Sequence, residues 1–389
     1  MQNRSVHTIL FLIVTAQFAC TSLWFAGNAV AGDLIHHFSL GGSAVAHLTS
    51  MVQFGFIGGT LLFALLGVAD RFSPSRIFFC CAVLAAAVNL LLFVADDYQL
   101  VMFSRGCTGF LLAGIYPVGM KIAADHHGKG LGKALGWLVG ALVLGTAFPH
   151  LVHVFTAQLS WKWVIGISSA LSVAGGCIIL FFVPDGPYRT RGLGFAPFVL
   201  LKIFRNAKFR AAAFGYFGHM WELYTFWAFV PSILSTYAVK QHASYNVPML
   251  SFLTIGSGAL ACIAGGYLSA RIGSARTACL ALFISGACCL SSPWLFNLPL
   301  GLFIPVLFAW GMSVVADSPQ FSTLVAQSIS SETRGTALTI TNSIGFALTI
   351  GSIETLNYLH NYIAPENTYL ILAIGPIAGL FSMRKQLKQ

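Results

Sequence analysis

From residue 8 to residue 383 the sequence is a succession of apolar runs, each about as long as a helix that crosses a bilayer and each closed by a short polar turn. The runs fall near 8–30, 45–68, 77–95, 99–123, 130–155 and 163–183, then near 209–238, 248–270, 275–295, 299–325, 333–357 and 365–383. A spanning helix needs about 20 mostly apolar residues, so twelve of them and their turns fill the chain and leave no length for a soluble domain. Only 8% of the residues are charged, against roughly a quarter in soluble proteins. Most of this surface must therefore face lipid. The first run exceeds the apolar region of a cleaved signal and is read as a retained span.

The basic residues set the orientation. With the N-terminus cytoplasmic, eighteen of the 21 Lys and Arg fall on the cytoplasmic side, Lys162 and Lys240 fall outside, and Arg105 falls within a run. This is the bias that the positive-inside rule describes, and it places both termini in the cytoplasm. The net charge of +10 then reports topology, and no nucleic-acid partner is expected. The nine cysteines form no C-x-x-C pair, and Cys80-Cys81 and Cys288-Cys289 lie inside apolar runs, where cysteine acts as a small hydrophobe. Neither a metal site nor a cofactor is expected.

The chain repeats itself at half-length. Gly67-Val-Ala-Asp70-Arg71-Phe-Ser-Pro74-Ser-Arg76 lies between the second and third runs, and Gly266-Tyr-Leu-Ser-Ala-Arg271-Ile-Gly273-Ser-Ala-Arg276 returns between the eighth and ninth. Gly132-Lys-Ala-Leu135 and Gly335-Thr-Ala-Leu338 echo each other at a similar offset. Such internal repeats are common in transporters. The first hinge resembles the loop between the second and third helices of the major facilitator superfamily, G-x-L-x-D-R-x-G-R-R/K, through Gly67, Asp70, Arg71 and Arg76. A Ser-Pro turn replaces the inner Gly, and Ser269 replaces the Asp in the second copy. In the fourth run, Arg105-Gly-Cys-Thr-Gly109 through Pro117 is similar to the superfamily's R-x-x-x-G-x-x-x-G-x-x-x-P, with Gly114 one residue late. The resemblance covers the whole chain. It implies an all-α membrane protein, twelve transmembrane helices in two pseudo-symmetric six-helix bundles, 1–183 and 209–389, joined by a cytoplasmic linker, 184–208. In that linker Phe198 to Phe204 could lie on the membrane surface as an amphipathic helix.

Charged side chains within spans are functional candidates, because burying charge in lipid is costly. Arg105, Glu222, Asp317 and Glu354 are the four. In proton-coupled relatives the arginine matching Arg105 is associated with proton transfer or with holding an anionic group; a brace for the bundle is the alternative. Glu222 lies three residues after His219, on one helical face, and a carboxylate in a low-dielectric cavity suits reversible protonation. Glu222, Asp317 and His219 are the candidate proton-coupling groups, with Glu222 first. Asp317 precedes Pro319, which breaks a helical hydrogen bond, so a gate is an equal reading there. Glu354 lies near the outer end of its span. Candidate solute contacts are Arg105, Gln17, Trp24 and Asn28, from a polar stripe that includes Thr21, with Trp221 and Tyr224 as aromatic walls and Asn342 from the eleventh span. Asp70, Arg71 and Arg76 are assigned to gating. His150 and His153 lie toward the outer end of the fifth run, His126 and His127 are expected in solvent, and Gly132, Gly136 and Gly140 make a smooth strip for packing.

No G-x-x-x-x-G-K-[S/T] sequence is present, which disfavours ATP-driven transport by this chain alone, and no nucleophile–base pair in one span suggests an enzyme. The resemblance implies a secondary active transporter that moves a small organic solute by alternating access, coupled to protons. A proton-antiporting exporter of amphiphilic or drug-like compounds is the alternative. Tyr116-Pro-Val-Gly-Met-Lys121 and Ala316-Asp-Ser-Pro-Gln320 look similar to bacterial nitrate or cyanate porters. Those for nitrate carry an Arg in the second and eighth spans, and this chain has none there. The G-P-x-x-G-G sequence of drug–proton antiporters is not reproduced by Gly145-Thr-Ala-Phe-Pro149 either. The expected setting is a bacterial inner (plasma) membrane, crossed many times by a monomer.

Overall fold

The computed structural model describes residues 5–127, 131–189, 203–330, 333–384 and 386, and for Asp70 and Leu131 the backbone alone. A helix in lipid must satisfy its backbone internally, so the sequence marks each permitted end with a residue that caps or breaks. Asp97, Asn206 and Asn246 accept from backbone N–H groups of the first turns that follow them. Gly67 and Gly273 take positive φ, 59° and 87°, at the two hinges, a backbone region in which a Cβ is strained. Pro74 opens the helix after the first hinge, at a position where its missing N–H costs nothing.

The helices between these marks are α1 (Val6–Thr21), α2 (Ala26–Ala29), α3 (Ala31–His37), α4 (Ala44–Leu66), α5 (Val68–Arg71), α6 (Pro74–Leu90), α7 (Tyr98–Leu112), α8 (Tyr116–His126), α9 (Leu131–Thr156) and α10 (Lys162–Phe182). After residue 203 come α11 (Ala207–Lys240), α12 (Val247–Ile272), α13 (Ser274–Leu295), α14 (Leu300–Ala316), α15 (Ser318–Gln327), α16 (Arg334–Leu359), α17 (Pro365–Thr368) and α18 (Ile374–Met383). Among the described residues there is no strand, and 9 helices are long and apolar enough to cross a membrane, with α1 a shorter apolar helix. Two of the nine are broken in their middle. The span from Tyr98 to His126 divides into α7 and α8 before Pro117, and that from Leu300 to Gln327 divides into α14 and α15 before Pro319. In both, proline removes a backbone donor at the same relative place.

The structure corrects two spans expected to be continuous. The run 8–30 is not one helix: α1 stops at Thr21, residues 22–25 turn, and α2 starts at Ala26. Its cause is a side chain from α7, described below. The run 365–383 divides into α17, a 3₁₀ segment (Tyr369–Ala373) and α18. Most of the stretch 198–204, including the expected surface helix, lies outside the described residues.

In the first half α1 packs on α8, α9 and α10, α4 on α7, and α6 on α10; in the second α11 packs on α12, α16 and α18, and α12 and α13 on α14. Contacts between these sets run chiefly along α9 with α12 and α4 with α16. Small residues permit the closest approaches. A Cβ on Gly136 or Gly140 of α9 would lie 3.3 Å from the carbonyl of Cys262 or 3.2 Å from that of Ala259, so the glycine strip seats α12. Gly109 is placed so that a Cβ would fall on the backbone carbonyl of Val52 in α4. Gly109→Val should therefore cost about 1–3 kcal/mol by overpacking and lower the thermal unfolding midpoint of the detergent-solubilised protein. Gly301→Ala, whose Cβ meets nothing within 4 Å, should leave that midpoint unchanged.

Candidate functional site

Arg105, on α7, is wholly buried. Its Nη2 donates to the carbonyl oxygens of Leu23 at 3.1 Å and Trp24 at 2.6 Å, and its Nη1 to Asn89 Oδ1 at 3.1 Å. Asn89 in turn donates to Ser169 Oγ at 3.0 Å and the Ile165 carbonyl at 3.3 Å. Leu23 and Trp24 sit in the turn that interrupts the first span, so the guanidinium satisfies carbonyls that the broken helix leaves open. Gly27 faces it, with space for a Cβ only 3.3 Å from Nε. Arg105 and Glu222 are not a charge pair in this arrangement, because the fork is occupied by carbonyls and an amide. Asn89 was missed from the sequence, where a single Asn in an apolar run was its only signal.

The turn presents aromatic rings. Trp24 stacks on Tyr224 and on Phe346, with centroids 5.7 Å apart in each case, and Phe56 meets Phe346 at 4.5 Å. Phe25 packs on Trp227 and Tyr224. This layer joins the first-span turn and α4 to α11 and α16. On its hinge side lies a small midplane pocket whose lining includes Tyr116, Tyr216, Tyr224, Ser318, Asn342 and Phe346. On the opposite side lies a vestibule of about 750 Å³, within the range of small-molecule sites. Asn28 and His150 line it from the first half, and Phe229, Ser232 and His360 from the second. Of the candidate solute contacts, Tyr224 and Asn342 line the pocket and Asn28 the vestibule. Gln17 is buried against Gly119 with no partner for its amide. Trp221 departs from its expected place as a cavity wall: its Nε1 donates to the Ile371 carbonyl at 3.0 Å, because that side of α11 packs on the last helical segment.

Of the three buried acids among the described residues, Glu222 and Asp317 lie in the second half and Asp125 at the end of α8. Glu222 Oε1 accepts from Trp310 Nε1 at 2.7 Å and from the Cys289 thiol at 3.1 Å. His219, on the same helix, instead meets Asp317: Nδ1 and Oδ1 are 2.8 Å apart, an ion pair by distance with neither atom in a well-aligned hydrogen bond. So α11 sends His219 and Glu222 to different partners. The residues next to them, Met220, Leu223 and Ser318, line the midplane pocket. Glu354 joins α16 to α4, accepting from Ser50 Oγ at 2.6 Å with His47 Nε2 3.8 Å away.

At the first hinge, Arg71 and Arg76 are exposed, and the Asp70 side chain lies outside the described residues. The hinge is pinned from the end of α10: Asp185 accepts from Ser73 Oγ and from Arg189 Nη1, each at 2.7 Å, and Arg189 Nη2 donates to the Phe72 carbonyl at 2.8 Å. The clamp is built on Pro184-Asp-Gly-Pro187, the stretch at which α10 has ended. It also corrects the expectation for His126, which is buried with Nδ1 2.9 Å from the Ile122 carbonyl, because Tyr188 folds back to donate its N–H to the Asp125 carbonyl.

Long apolar helices around a midplane pocket define a multi-pass membrane protein. The sequence matches the Major Facilitator Superfamily over residues 10–352, and the chain belongs to that family. Its members are transporters, not enzymes. A putative metabolite transport protein of Haemophilus influenzae is 30% identical over 156 residues, 36% of this chain and 37% of that protein. The putative transporter SVOPL of Mus musculus is 27% identical over 183 residues, 45% of this chain and 35% of that protein. An uncharacterized transporter of Buchnera aphidicola is 23% identical over 129 residues, 33% of this chain and 31% of that protein. The chain thus spans about a third of the length of these relatives. The crystal structure of the human organic anion transporter MFSD10 (TETRAN) superposes with a TM-score of 0.73 at 16% identity, over 97% of this chain and 98% of that one, which establishes a shared fold.

Two outcomes test the geometry. Arg105→Lys keeps the charge but loses the fork, leaving a buried carbonyl of the first-span turn unpaired at a cost of about 1–3 kcal/mol, read as a lower unfolding midpoint. His360, just past the end of α16, touches Phe229 and Tyr369, and burial pushes its imidazole below its ordinary 6.5. The folded state then binds its proton less readily than the unfolded chain. Its contribution is present above pH 6.5 and lost as pH falls toward the lowered value. The acid-side drop in unfolding midpoint should be smaller in His360→Gln than in the parent.

Proposed function

We propose that the chain is a secondary active transporter that moves a small organic solute by alternating access, with proton flux as its driving reaction. Twelve spans, arranged as bundles 1–183 and 209–389 around a linker, 184–208, are part of this reading, with both termini cytoplasmic in a bacterial inner membrane and the protein acting as a monomer. The observation that carries it is the placement of Glu222. It is wholly buried on α11, beside the pocket-lining Leu223 and Tyr224, and it is held by neutral donors alone, Trp310 and Cys289. Charge at such a place is costly, and a carboxylate without a cationic partner can load and release a proton as the cavity beside it opens and closes. Asp317, with His219, is a second proton station on the broken tenth span, and movement at Pro319 links it to the pocket through Ser318.

In this cycle Trp24, Tyr224 and Phe346 form a layer that parts for the solute, and Asn28 and Asn342 meet it on either side. Arg105 and Gln17 support the first-span turn that carries Trp24. Asp70, Arg71 and Arg76, held near the Asp185–Arg189 clamp, gate the hinge side. The amphiphile exporter is the second reading, favoured by the number of aromatic rings around the pocket.

The test is proton movement in proteoliposomes while organic anions, cations and neutral solutes are offered. Glu222→Gln keeps an acceptor for Trp310 Nε1, so it should fold as the parent does. Proton-driven accumulation should fall to the level of empty vesicles while exchange of labelled for unlabelled solute continues. Accumulation and pH dependence like those of the parent in Glu222→Gln would remove Glu222 from coupling.

A further inference from the structure

We propose that the vestibule binds an uncharged solute that brings a hydrogen-bond donor, an alcohol or amide rather than an organic ion. This rests on the transporter reading and names its substrate class. Three observations support it. Among the described residues, no Asp, Glu, Lys or Arg lines either the vestibule or the midplane pocket. The four charged side chains singled out from the sequence are turned elsewhere: Arg105 to carbonyls, Glu222 to Trp310, Asp317 to His219, and Glu354 to Ser50. A solute ion leaving water would therefore meet no opposite charge, and the cost of that desolvation is large without one.

The second observation fixes the polarity of the floor. Asn28 Nδ2 lies 2.6 Å from Thr49 Oγ1, and the Thr49 hydroxyl is itself 2.7 Å from the Val45 carbonyl. A hydroxyl has one proton. Thr49 gives it to Val45 and so accepts from Asn28, which orients the amide and leaves Asn28 Oδ1 as an acceptor without a protein partner. A carboxylate or nitrate offers that oxygen only lone pairs, whereas an O–H or N–H pairs with it.

The third is His150. It is buried, lines the vestibule with Asn28, and its Nε2 has no partner in the protein. A neutral imidazole nitrogen can give or take one hydrogen bond according to its tautomer, so it complements a hydroxyl or an amide, each of which both gives and takes. Unpaired buried polar groups are costly, and a seated solute removes that cost from both. Beside them, Phe229 and Pro231 of the vestibule lining meet the apolar side of the same molecule.

The experiment uses the full-length protein in lipid nanodiscs, with sets of similar size and shape whose members are neutral, anionic and cationic: glucose, glucuronate and glucosamine, and benzamide, benzoate and benzylamine. Unfolding midpoint and tryptophan emission report binding. The uncharged member of at least one set should protect, and its charged partners should not. Asn28→Leu should weaken that binding about tenfold, the worth of one hydrogen bond. Asn28→Asp, which places a carboxylate at the floor, should turn the preference toward the amine. Protection by charged members alone, by all three members alike, or by none in either set overturns the proposal, as does binding that neither variant alters. The transporter reading fails separately: a neutral solute that binds in nanodiscs yet never crosses a proteoliposome membrane leaves the site and removes transport. Proton-driven movement of an organic ion, with neutral partners inert, does the reverse.

Discussion

A guanidinium buried in the first half determines where the first span can break. Helices in lipid cannot leave carbonyls open, and the turn at residues 22–25 exposes those of Leu23 and Trp24. Arg105 reaches both from α7, and Asn89 holds the other arm of the fork. Without that donor the break would be prohibitive, and an unbroken helix would carry Trp24 along a different face. The aromatic layer, its contact with α11 and α16, and the division between vestibule and pocket all follow from the turn. Arg105 therefore shapes the site while lining neither cavity.

The second half solves the corresponding problem with proline. Pro319 removes a donor between α14 and α15, and Asp317 stands at the break with His219 against it. The first half repeats the device at Pro117 between α7 and α8, where Tyr116 faces the midplane pocket. Two interrupted helices thus approach the same pocket from opposite halves, one presenting a phenol and the other a serine backed by an acid–imidazole pair.

Much of this was readable in the chain. The apolar runs, the hinges at Gly67 and Gly273, and the isolated charges at Arg105 and Glu222 carry local signals, because each is an exception to its surroundings. The glycine strip of α9 could be read as a packing surface from its four-residue period. What the chain conceals is partnership. Glu222 meets Trp310 and Cys289, 88 and 67 positions away, and nothing in either neighbourhood distinguishes that indole from others. His219 and Glu222 share a helix, yet their partners separate them, since three residues of helix also amount to a rotation of the side chain's bearing. The break at residues 22–25 was hidden for the same reason: its stabilising donor is about eighty positions distant, and no proline or glycine lies within it.

The glycine strip has a mechanical consequence. Where Gly136 of α9 meets Gly266 of α12, the two helices approach backbone to backbone, with no side chain within 4 Å of a Cβ built on either glycine, while Ile263 packs beside Gly140 and Leu144 beside Gly256. In lipid such a contact draws its attraction from van der Waals packing, which depends on separation far more than on axial register. That one crossing point behaves as a plain bearing: it resists being pulled apart and offers little friction to rolling, with the side chains on either side of it limiting how far the helices slide. Side-chain bulk added there would act as a tooth, converting a continuous range of tilts into a few discrete stops.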